Sequence, residues 1–166
     1  MSIEIREAQR VDLPAILELI ERLEERQEPW RVFPSRPGLL AEIAQGHAAA
    51  IGDSKKLLLV ALDDGVVVGT SYAHVEVPSS VSDEPAIELS GVIVRPDHRG
   101  RGIAPALVAR AARFATEQGV DRITIKVFAQ NEDGLKLWER LGFEPRMLQM
   151  TAAAEELLGR THHGDV

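Results

Sequence analysis

The spacing of apolar residues predicts alternating strands and helices along most of the chain. Residues 3–5 alternate between apolar and polar side chains, as in a strand. Apolar residues then recur at helical spacing over 13–23, where Asp12 is suited to cap the helix. A link broken by prolines separates this helix from a second one predicted over 38–50. The chain therefore opens with one strand and two helices.

Strand patterns dominate the middle of the chain. Two apolar, β-branched runs at 57–62 and 66–77 flank Asp-Asp-Gly at 63–65, a sequence that favours a tight antiparallel hairpin. A loop with prolines and serines follows at 78–85, and 87–94 is predicted to be another strand. The first two of these strands are expected to pair.

Helices and strands alternate again in the last third of the chain. A helix is predicted over 103–118, a strand over 122–127, a helix capped by Asn131, and a strand over 143–151. The resulting order is β-α-α-β-β-β-α-β-α-β. It predicts an α/β fold with a mixed central sheet and helices on both faces.

The composition is that of a globular protein. The chain has 166 residues, of which 45% are apolar and 27% charged, and no apolar run is long enough to cross a bilayer. We expect a single domain over residues 1–151, followed by a frayed C-terminal tail over 152–166. No basic and apolar leader precedes the first strand pattern, which favours a cytoplasmic location.

Net charge and the lack of cysteine narrow the function. The formal charge of -7 disfavours binding to nucleic acid or to an anionic membrane and favours a cationic partner. Without cysteine, the chain has no disulfide, no thiolate metal site and no cysteine nucleophile. His74 and His98 have no neighbours at zinc-binding spacing, so no metal is expected.

A loop rich in arginine and glycine interrupts this acidic background. The sequence Arg-Pro-Asp-His-Arg-Gly-Arg-Gly at 95–102 lies between a predicted strand and a predicted helix. A helix N-terminus offers free N–H groups and partial positive charge, and glycines let an anion approach the backbone. The pattern predicts a diphosphate site, although a tight turn with solvated arginines would have the same features. A dinucleotide-binding motif is disfavoured because its third glycine is missing.

Two motifs resemble those of the GNAT superfamily of N-acetyltransferases. The acetyl-CoA motif Arg/Gln-x-x-Gly-x-Gly/Ala, after a Val-x-Pro strand end, matches Arg99, Gly102 and Ala104. A second block, Asn-x-x-Ala-x-x-Leu/Tyr followed by Gly-Phe, resembles residues 131–143. The element order over residues 3–151 is also similar to the family fold, which identifies a GNAT-like sheet.

The resemblance implies that acetyl-CoA binds between strands that splay apart around Val92 and Lys126. Pantetheine would lie along residues 92–94, and the pyrophosphate would meet the amides of 100–104. Asn131 would support the cofactor arm, cap its helix, or do both. The residues assigned to acetyl-CoA in this way are Val92, Ile93, Val94, Arg99, Gly100, Arg101, Gly102, Ile103, Ala104, Asn131 and Trp138.

Glu88 is the candidate general base. An alkylamine is mostly protonated at neutral pH, so its attack on a thioester requires removal of a proton. Glu88 resembles the position at which several family members place a glutamate base; the alternative is a strand glutamate that faces solvent or pairs with a cation. Because the chain has no cysteine, direct transfer from acetyl-CoA to the amine is expected.

The second block lacks the tyrosine with which many family members protonate the leaving thiolate. Trp138 stands at that position, and an indole cannot act as this acid. We expect Trp138 to pack beside the pantetheine end. Tyr72, the only tyrosine, is expected to be a half-buried packing residue, so that water protonates the thiolate.

These features predict an N-acetyltransferase that moves the acetyl group of acetyl-CoA to a primary amine of a small molecule or protein. The alternative, which Trp138 favours, is a catalytically silent acetyl-CoA sensor or interaction module. Trp30 and Phe33, with glutamates nearby, would suit a cationic acceptor, although a core-packing tryptophan is an equal alternative. The sequence leaves the identity of the acceptor and the formation of a homodimer open.

Overall fold

The structure of the chain, a computed structural model, describes residues 3–77 and 83–161. The chain divides into two compact units, residues 1–130 and 131–166. The strands all belong to the first unit and are β1 (Ile3–Glu7), β2 (Lys56–Asp63), β3 (Val66–Glu76), β4 (Ala86–Val94) and β5 (Ile123–Thr124). The helices are α1 (Leu13–Gln27), α2 (Leu39–Ala50) and α3 (Ile103–Glu117) in the first unit, and α4 (Glu132–Arg140) and α5 (Ala154–Thr161) in the second.

The five strands form one mixed sheet in the order β1-β2-β3-β4-β5. Antiparallel pairing joins β1 to β2, β2 to β3 and β3 to β4, whereas β5 pairs parallel with β4. A parallel neighbour requires a crossover connection, and α3 supplies it. The α/β class and the mixed sheet confirm the predicted fold class.

A two-residue turn joins β2 to β3 at the predicted position. Asp63 pairs with Val66, which leaves Asp64 and Gly65 as the turn. Both residues have positive φ, 49° and 80°, as a type I′ hairpin turn requires. The turn sequence therefore fixes where the two strands begin to pair.

A β-bulge interrupts β4 near its C-terminal end. The register between β3 and β4 shifts between Thr70 and Tyr72, so that Ser71 faces two residues of β4, Gly91 and Val92. Gly91 has φ of 57°, a backbone conformation that residues with side chains rarely adopt. A bulge of this kind bends its strand and increases the local twist.

The pairing between β4 and β5 is short. The parallel ladder ends at Glu88 and Thr124, whereas β4 continues to Val94. The strand predicted over 122–127 is thus reduced to two residues, because the bulge bends β4 away from it. Within the described part of the first unit, no other strand pairs with this edge of β4. The edge is therefore open beyond Glu88.

Helices α1 and α2 cover one face of the sheet. Ile16 and Ile20 of α1 and Ala50 of α2 form a buried cluster with alternate residues of β2, Leu58 and Val60. Burial of such a cluster is the main stabilising contribution in a domain of this size. The helical spacing recognised over 13–23 corresponds to this packing face.

Helix α3 covers the opposite face, as predicted. Leu59 and Ala61 alternate with the residues of the first cluster and are fully buried. Gly69 lies between them and α3: a β-carbon at Gly69 would come within 3.3 Å of Ile103 and 3.5 Å of Ala61. The missing side chain therefore lets the first turn of α3 approach the sheet.

The start of α1 differs from the prediction in one respect. Asp12 precedes the helix, but its carboxylate does not cap it. The carboxylate accepts hydrogen bonds from the Arg6 guanidinium at 2.7 and 3.0 Å, and from the Gln9 N–H at 2.7 Å. The hydrogen bonds from Arg6 hold the pKa of Asp12 below its usual value. Asp12 thus links β1 to the start of α1.

The strand predicted over residues 143–151 is wrong. Residues 143–153 have no regular secondary structure. A strand requires a hydrogen-bonded neighbour, and the described part of the second unit contains none; Pro145 also has no N–H to donate. Met147 and Met150 are accordingly exposed.

The C-terminal tail, expected to fray, contains a helix. Glu155 and Glu156 lie in the first turn of α5 and Arg160 in its last turn, which matches the helix dipole. Residues 162–166 and the loop residues 78–82 lie outside the described residues. In the described part of the chain, no helix combines the length and apolar character needed to span a bilayer.

Candidate functional site

The loop between β4 and α3 leaves a row of backbone N–H groups open. A short 3-10 turn, Pro96–His98, follows β4, and α3 begins after Gly102. Gly100 and Gly102 have φ of 74° and 75°, and nothing lies within 4 Å of a β-carbon built at either residue. Among the described residues, the N–H groups of 100–104 have no protein acceptor. They and the positive end of α3 fit an anionic phosphate.

The basic side chains of this loop contact protein oxygens. Arg101 Nη1 donates a hydrogen bond to Asp63 Oδ2 at 2.7 Å, and His98 Nε2 lies 3.2 Å from the same oxygen. Arg99 Nε donates to the Val94 carbonyl at 3.4 Å. A role for the Arg99 and Arg101 side chains at a phosphate therefore stays a prediction.

The apolar residues assigned to acetyl-CoA occupy different environments. Ile103 is buried against Gly69, so it holds α3 on the sheet and offers a ligand only its N–H. Val94 is also buried, whereas Val92 and Ile93 are partly exposed at the bulge, beside the open edge of β4. Their predicted contact with pantetheine remains a prediction.

Glu88 lies where the β4–β5 ladder ends. Its side chain is 18% exposed, and Oε2 accepts a hydrogen bond from Lys126 Nζ at 2.7 Å. Burial acts to raise the pKa of Glu88, but the hydrogen bond from Lys126 and the positive charge of Lys126 oppose burial, and the pKa lies below its usual value. The carboxylate is therefore charged at neutral pH. The contact between Glu88 and Lys126 agrees with the alternative interpretation, in which Glu88 is a strand glutamate that pairs with a cation.

The sequence places Lys126 where the strands splay apart but does not predict its contact with Glu88. Thr124 pairs with Glu88, and one residue separates Thr124 from Lys126, so both side chains point to the same face in an extended chain. Lys126 is 82% exposed, and its hydrogen bond with Glu88 raises its pKa. The spacing of two residues between Thr124 and Lys126 is the signal that could have identified Lys126 as the partner of Glu88, once the register of β5 was known.

Tyr72 lies between two histidines on the same face of the sheet as Glu88. Its ring centroid is 5.2 Å from His47 of α2 and 5.4 Å from His74, which stacks nearly parallel to it. Tyr72 packs against the α1–α2 core, which confirms the predicted half-buried packing role. Burial raises the pKa of its phenol.

The link after α1 combines aromatic and charged side chains. Trp30 packs against Phe128 at a centroid distance of 6.0 Å, and the Arg31 guanidinium lies 5.7 Å from the same Phe128 ring. Arg31 also forms an ion pair with Glu24. Phe33 is exposed. Phe128, which the sequence does not single out, thus provides the packing partner of Trp30.

A cavity of about 420 Å³ lies beside this link, between α1 and the start of α2. Its lining includes Glu21, Glu24, Glu25 and Glu28. Glu28 accepts hydrogen bonds from the backbone and hydroxyl of Ser35. Glu21 and Glu25 have no cationic partner among the described residues, so the cavity carries negative charge.

Asn131 and Trp138 belong to the second unit. Asn131 Oδ1 accepts a hydrogen bond from the Gly134 N–H at 3.1 Å, which confirms the predicted helix cap. The Asn131 amide lies within 3.0 Å of where a β-carbon at position 134 would be, so an alanine there would require this side chain to shift. The Trp138 ring packs edge-on against Phe143 at 5.4 Å. Contacts of Asn131 and Trp138 with acetyl-CoA stay predictions.

Comparison with known families covers most of the chain. The family model described as "Acetyltransferase (GNAT) family" matches residues 17–143. The aminoglycoside N(6')-acetyltransferase type 1 of Salmonella enteritidis is 28% identical over 128 residues, which span 70% of this chain and 84% of that protein. The residues matched by the family model include both the phosphate loop and the second block.

Solved acetyltransferases share the fold. The aminoglycoside N-acetyltransferase AAC(6')-Iy in complex with CoA has a TM-score of 0.75 at 20% identity, over 92% of this chain and 94% of that one. A predicted acetyltransferase of Clostridium acetobutylicum with acetyl-CoA has a TM-score of 0.72 at 14% identity, over 93% and 98%. With the family match over residues 17–143, the chain belongs to the acetyltransferase (GNAT) family and is an acetyl-CoA-dependent acyltransferase.

Proposed function

We propose that this enzyme moves the acetyl group of acetyl-CoA directly to a primary amine, with Glu88 as general base. The observation that carries the proposal is the position of Glu88. Its charged carboxylate lies where the β4–β5 ladder ends, next to the open edge of β4. An amine bound there would meet a proton acceptor beside the space proposed for the thioester.

The loop before α3 would hold the pyrophosphate of acetyl-CoA. Its open N–H groups at 100–104 and the absence of side chains at Gly100 and Gly102 support close approach of an anion. Pantetheine would lie along Val92, Ile93 and Val94, where an open strand edge offers backbone hydrogen bonds to an extended ligand. The bound molecule supplies the acetyl thioester, and the chain orients it.

Glu88 would accept the proton of the acceptor's ammonium group. Lys126 contacts Glu88 Oε2 and lowers its pKa, which makes Glu88 a charged but weak base. The ammonium group of the acceptor competes with the exposed Lys126 for the same oxygen and displaces it. The deprotonated amine then attacks the thioester carbon, the C–N bond forms and the C–S bond breaks. The nitrogen loses its second proton to water to give the amide, and CoA leaves as a thiolate that takes up a proton from water.

The acceptor is proposed to be a small cationic amine. The net charge of -7 and the acidic cavity lined by Glu21 and Glu25 support a cation. The relative from Salmonella enteritidis is named for an aminoglycoside acceptor, which supports the same class. Cytoplasmic location, homodimer formation and independence of metal stay predictions.

A mass-spectrometric screen with acetyl-CoA and a panel of amines tests the proposed transfer. The panel contains aminoglycosides, polyamines, amino acids and peptides with free amines, and acetylated product is expected with cationic members. Binding of acetyl-CoA without product from any amine would favour the silent sensor instead.

The substitution Glu88→Gln tests the base. We expect turnover to fall about 100-fold at neutral pH and to recover in part at alkaline pH, where more of the amine is already deprotonated. Glu7→Gln is the matched control, because Glu7 is a strand glutamate paired with a cation, Arg110 of α3. A loss that is the same at every pH would point to a structural role for Glu88.

A further inference from the structure

Asp63 connects the phosphate loop to the β2–β3 hairpin. It is the last residue of β2, and its side chain is 12% exposed. Its Oδ2 accepts the hydrogen bond from Arg101 at 2.7 Å and lies 3.2 Å from His98 Nε2. Its Oδ1 is buried and has no hydrogen-bond partner in the described chain. The hydrogen bond from Arg101 lowers the pKa of Asp63, so the group is a carboxylate.

A carboxylate next to an anion-binding loop is unfavourable by charge alone, and the contacts of Asp63 with Arg101 and His98 offset that charge. The loop itself has few anchors. Nothing lies within 4 Å of a β-carbon built at Gly100 or Gly102, and Arg99 reaches the Val94 carbonyl only at 3.4 Å.

The other charged groups of the loop bind one another. Arg95 donates hydrogen bonds to Asp97, and Asp97 also contacts His98 Nδ1 at 2.8 Å. These side-chain contacts stiffen the loop, and the Arg95 N–H ties only its first residue to β3, donating to the Val68 carbonyl at 2.8 Å. Within the described residues, Asp63 is the side chain outside the loop that fixes residues 98 and 101 together.

We propose that Asp63 is a positioning residue for diphosphate binding: it holds His98 and Arg101 so that the N–H groups of 100–104 face one anion together. This proposal rests on the proposed place of the acetyl-CoA pyrophosphate at this loop. It requires that Asp63 strengthens acetyl-CoA binding despite its own negative charge. If Asp63 only kept the Arg101 side chain away from the phosphates, it would weaken acetyl-CoA binding instead. The sign of the change therefore distinguishes the two roles.

The substitution Asp63→Asn tests the proposal, with Asp64→Asn as the matched control. Asp64 is the next residue, carries the same charge, and has φ of 49°, a conformation that asparagine adopts equally well. Asp63→Asn is expected to weaken acetyl-CoA binding about fivefold, the effect of losing a modest ion pair. Asp64→Asn is expected to leave it unchanged. Isothermal titration calorimetry measures both.

A second donor separates positioning from general structural damage. S-acetylpantetheine has the thioester but no pyrophosphate, so its kcat/KM should be the same for the unaltered enzyme and Asp63→Asn. The kcat/KM for acetyl-CoA should fall by the same factor as its affinity. In an Arg101→Gln background, Asp63→Asn should have a smaller effect, because one of its two partners is already lost.

Three outcomes overturn the proposal: unchanged acetyl-CoA affinity in Asp63→Asn, tighter affinity, or an equal loss with both donors. If the unaltered protein binds S-acetylpantetheine and acetyl-CoA equally well, the pyrophosphate assignment itself fails, which is a different result. Melting temperatures without ligand show whether each variant remains folded.

Discussion

The contacts of Glu88 determine the charge available for proton transfer. Lys126 contributes the cation, while partial burial works in the opposite direction. A base of low pKa is ready at neutral pH but has little affinity for a proton. Displacement of Lys126 by the ammonium group of the acceptor would therefore place the amine against Glu88 and keep a cation beside the carboxylate.

Replacement of Lys126 by methionine is expected to raise the pKa of Glu88, because the hydrogen bond that lowers it is lost while burial remains. The acidic limb of the kcat/KM profile should move to higher pH as a result. Lys55→Met is the control, since Lys55 Nζ binds Gln118 at the surface. An unmoved acidic limb in steady-state pH profiles would show that Lys126 does not set the charge of Glu88.

Tyr72 is predicted not to be the acid that protonates the thiolate. Its ring is held between His47 and His74, and Phe at this position keeps that packing. Tyr72→Phe should therefore leave turnover close to that of the unaltered enzyme. A fall of about 100-fold at unchanged acetyl-CoA affinity, the usual size of general acid catalysis, would make Tyr72 the acid.

The sequence identifies residues of the proposed site more readily than their partners. Glu88 and the loop at 95–102 can be identified because local sequence marks each of them: Glu88 by its position in a strand pattern, and the loop by its arginines and glycines. Lys126 and Asp63 do not, because each meets its partner only through strand pairing across 38 positions of the chain. Long-range partners of this kind depend on register, which local patterns do not specify.

At the scale of elements, the start of α3 carries the proposed phosphate site. Gly102→Val should abolish acetyl-CoA binding because a branched side chain would occupy the space of the phosphate, while the open surroundings keep the fold intact. The strain of φ at 75° in a residue with a side chain should cost about 1–2 kcal/mol of stability. Thermal melting with and without acetyl-CoA measures both effects.

Gly52→Val is the matched control for this change. Gly52 follows α2, has φ of 83°, and also has nothing within 4 Å of a β-carbon. It should lose a similar amount of stability yet keep the shift in melting temperature caused by acetyl-CoA. Loss of that shift in both variants would attribute the effect to backbone strain rather than to the site.

Elements defined by local sequence were predictable, whereas those that need a distant partner were not. The hairpin at Asp64 and Gly65 follows from the turn residues alone. The strand expected over 143–151 fails because no described strand of its unit pairs with it, and β5 is short because of a bulge in another strand. The bulge leaves no clear mark in the apolar pattern.

At the scale of the whole molecule, His47 should make stability depend on pH. It is buried, its Nδ1 has no partner among the described residues, and burial lowers its pKa below the usual 6.5. The unfolded chain therefore binds this proton at a higher pH than the folded chain does. The contribution of neutral, buried His47 to the free energy of unfolding is therefore fully present above pH 6.5. It is lost progressively as the pH falls from 6.5 toward the lower pKa of the folded state.

Melting temperatures measured from about pH 7.5 down to about pH 5 check this expectation. Carboxylates such as Asp12 are still charged over this pH range. His47→Leu should remove part of the pH dependence. An identical slope in His47→Leu would assign the pH dependence to other groups.

The β-bulge at Gly91 has a consequence for the orientation of the site. Before it, the β4 residues buried on the α3 side are Ile87 and Leu89, at odd positions; after it, Val94, at an even position, is buried on that side. The extra residue thus reverses the parity of the strand between Glu88 and the phosphate loop. Deletion of Gly91 alone would move the side chains on one side of the bulge to the opposite face of the sheet. Deletion of two residues would keep every side chain on its present face. The number of residues between Glu88 and the phosphate loop therefore decides which face each of them occupies, as well as the distance between them.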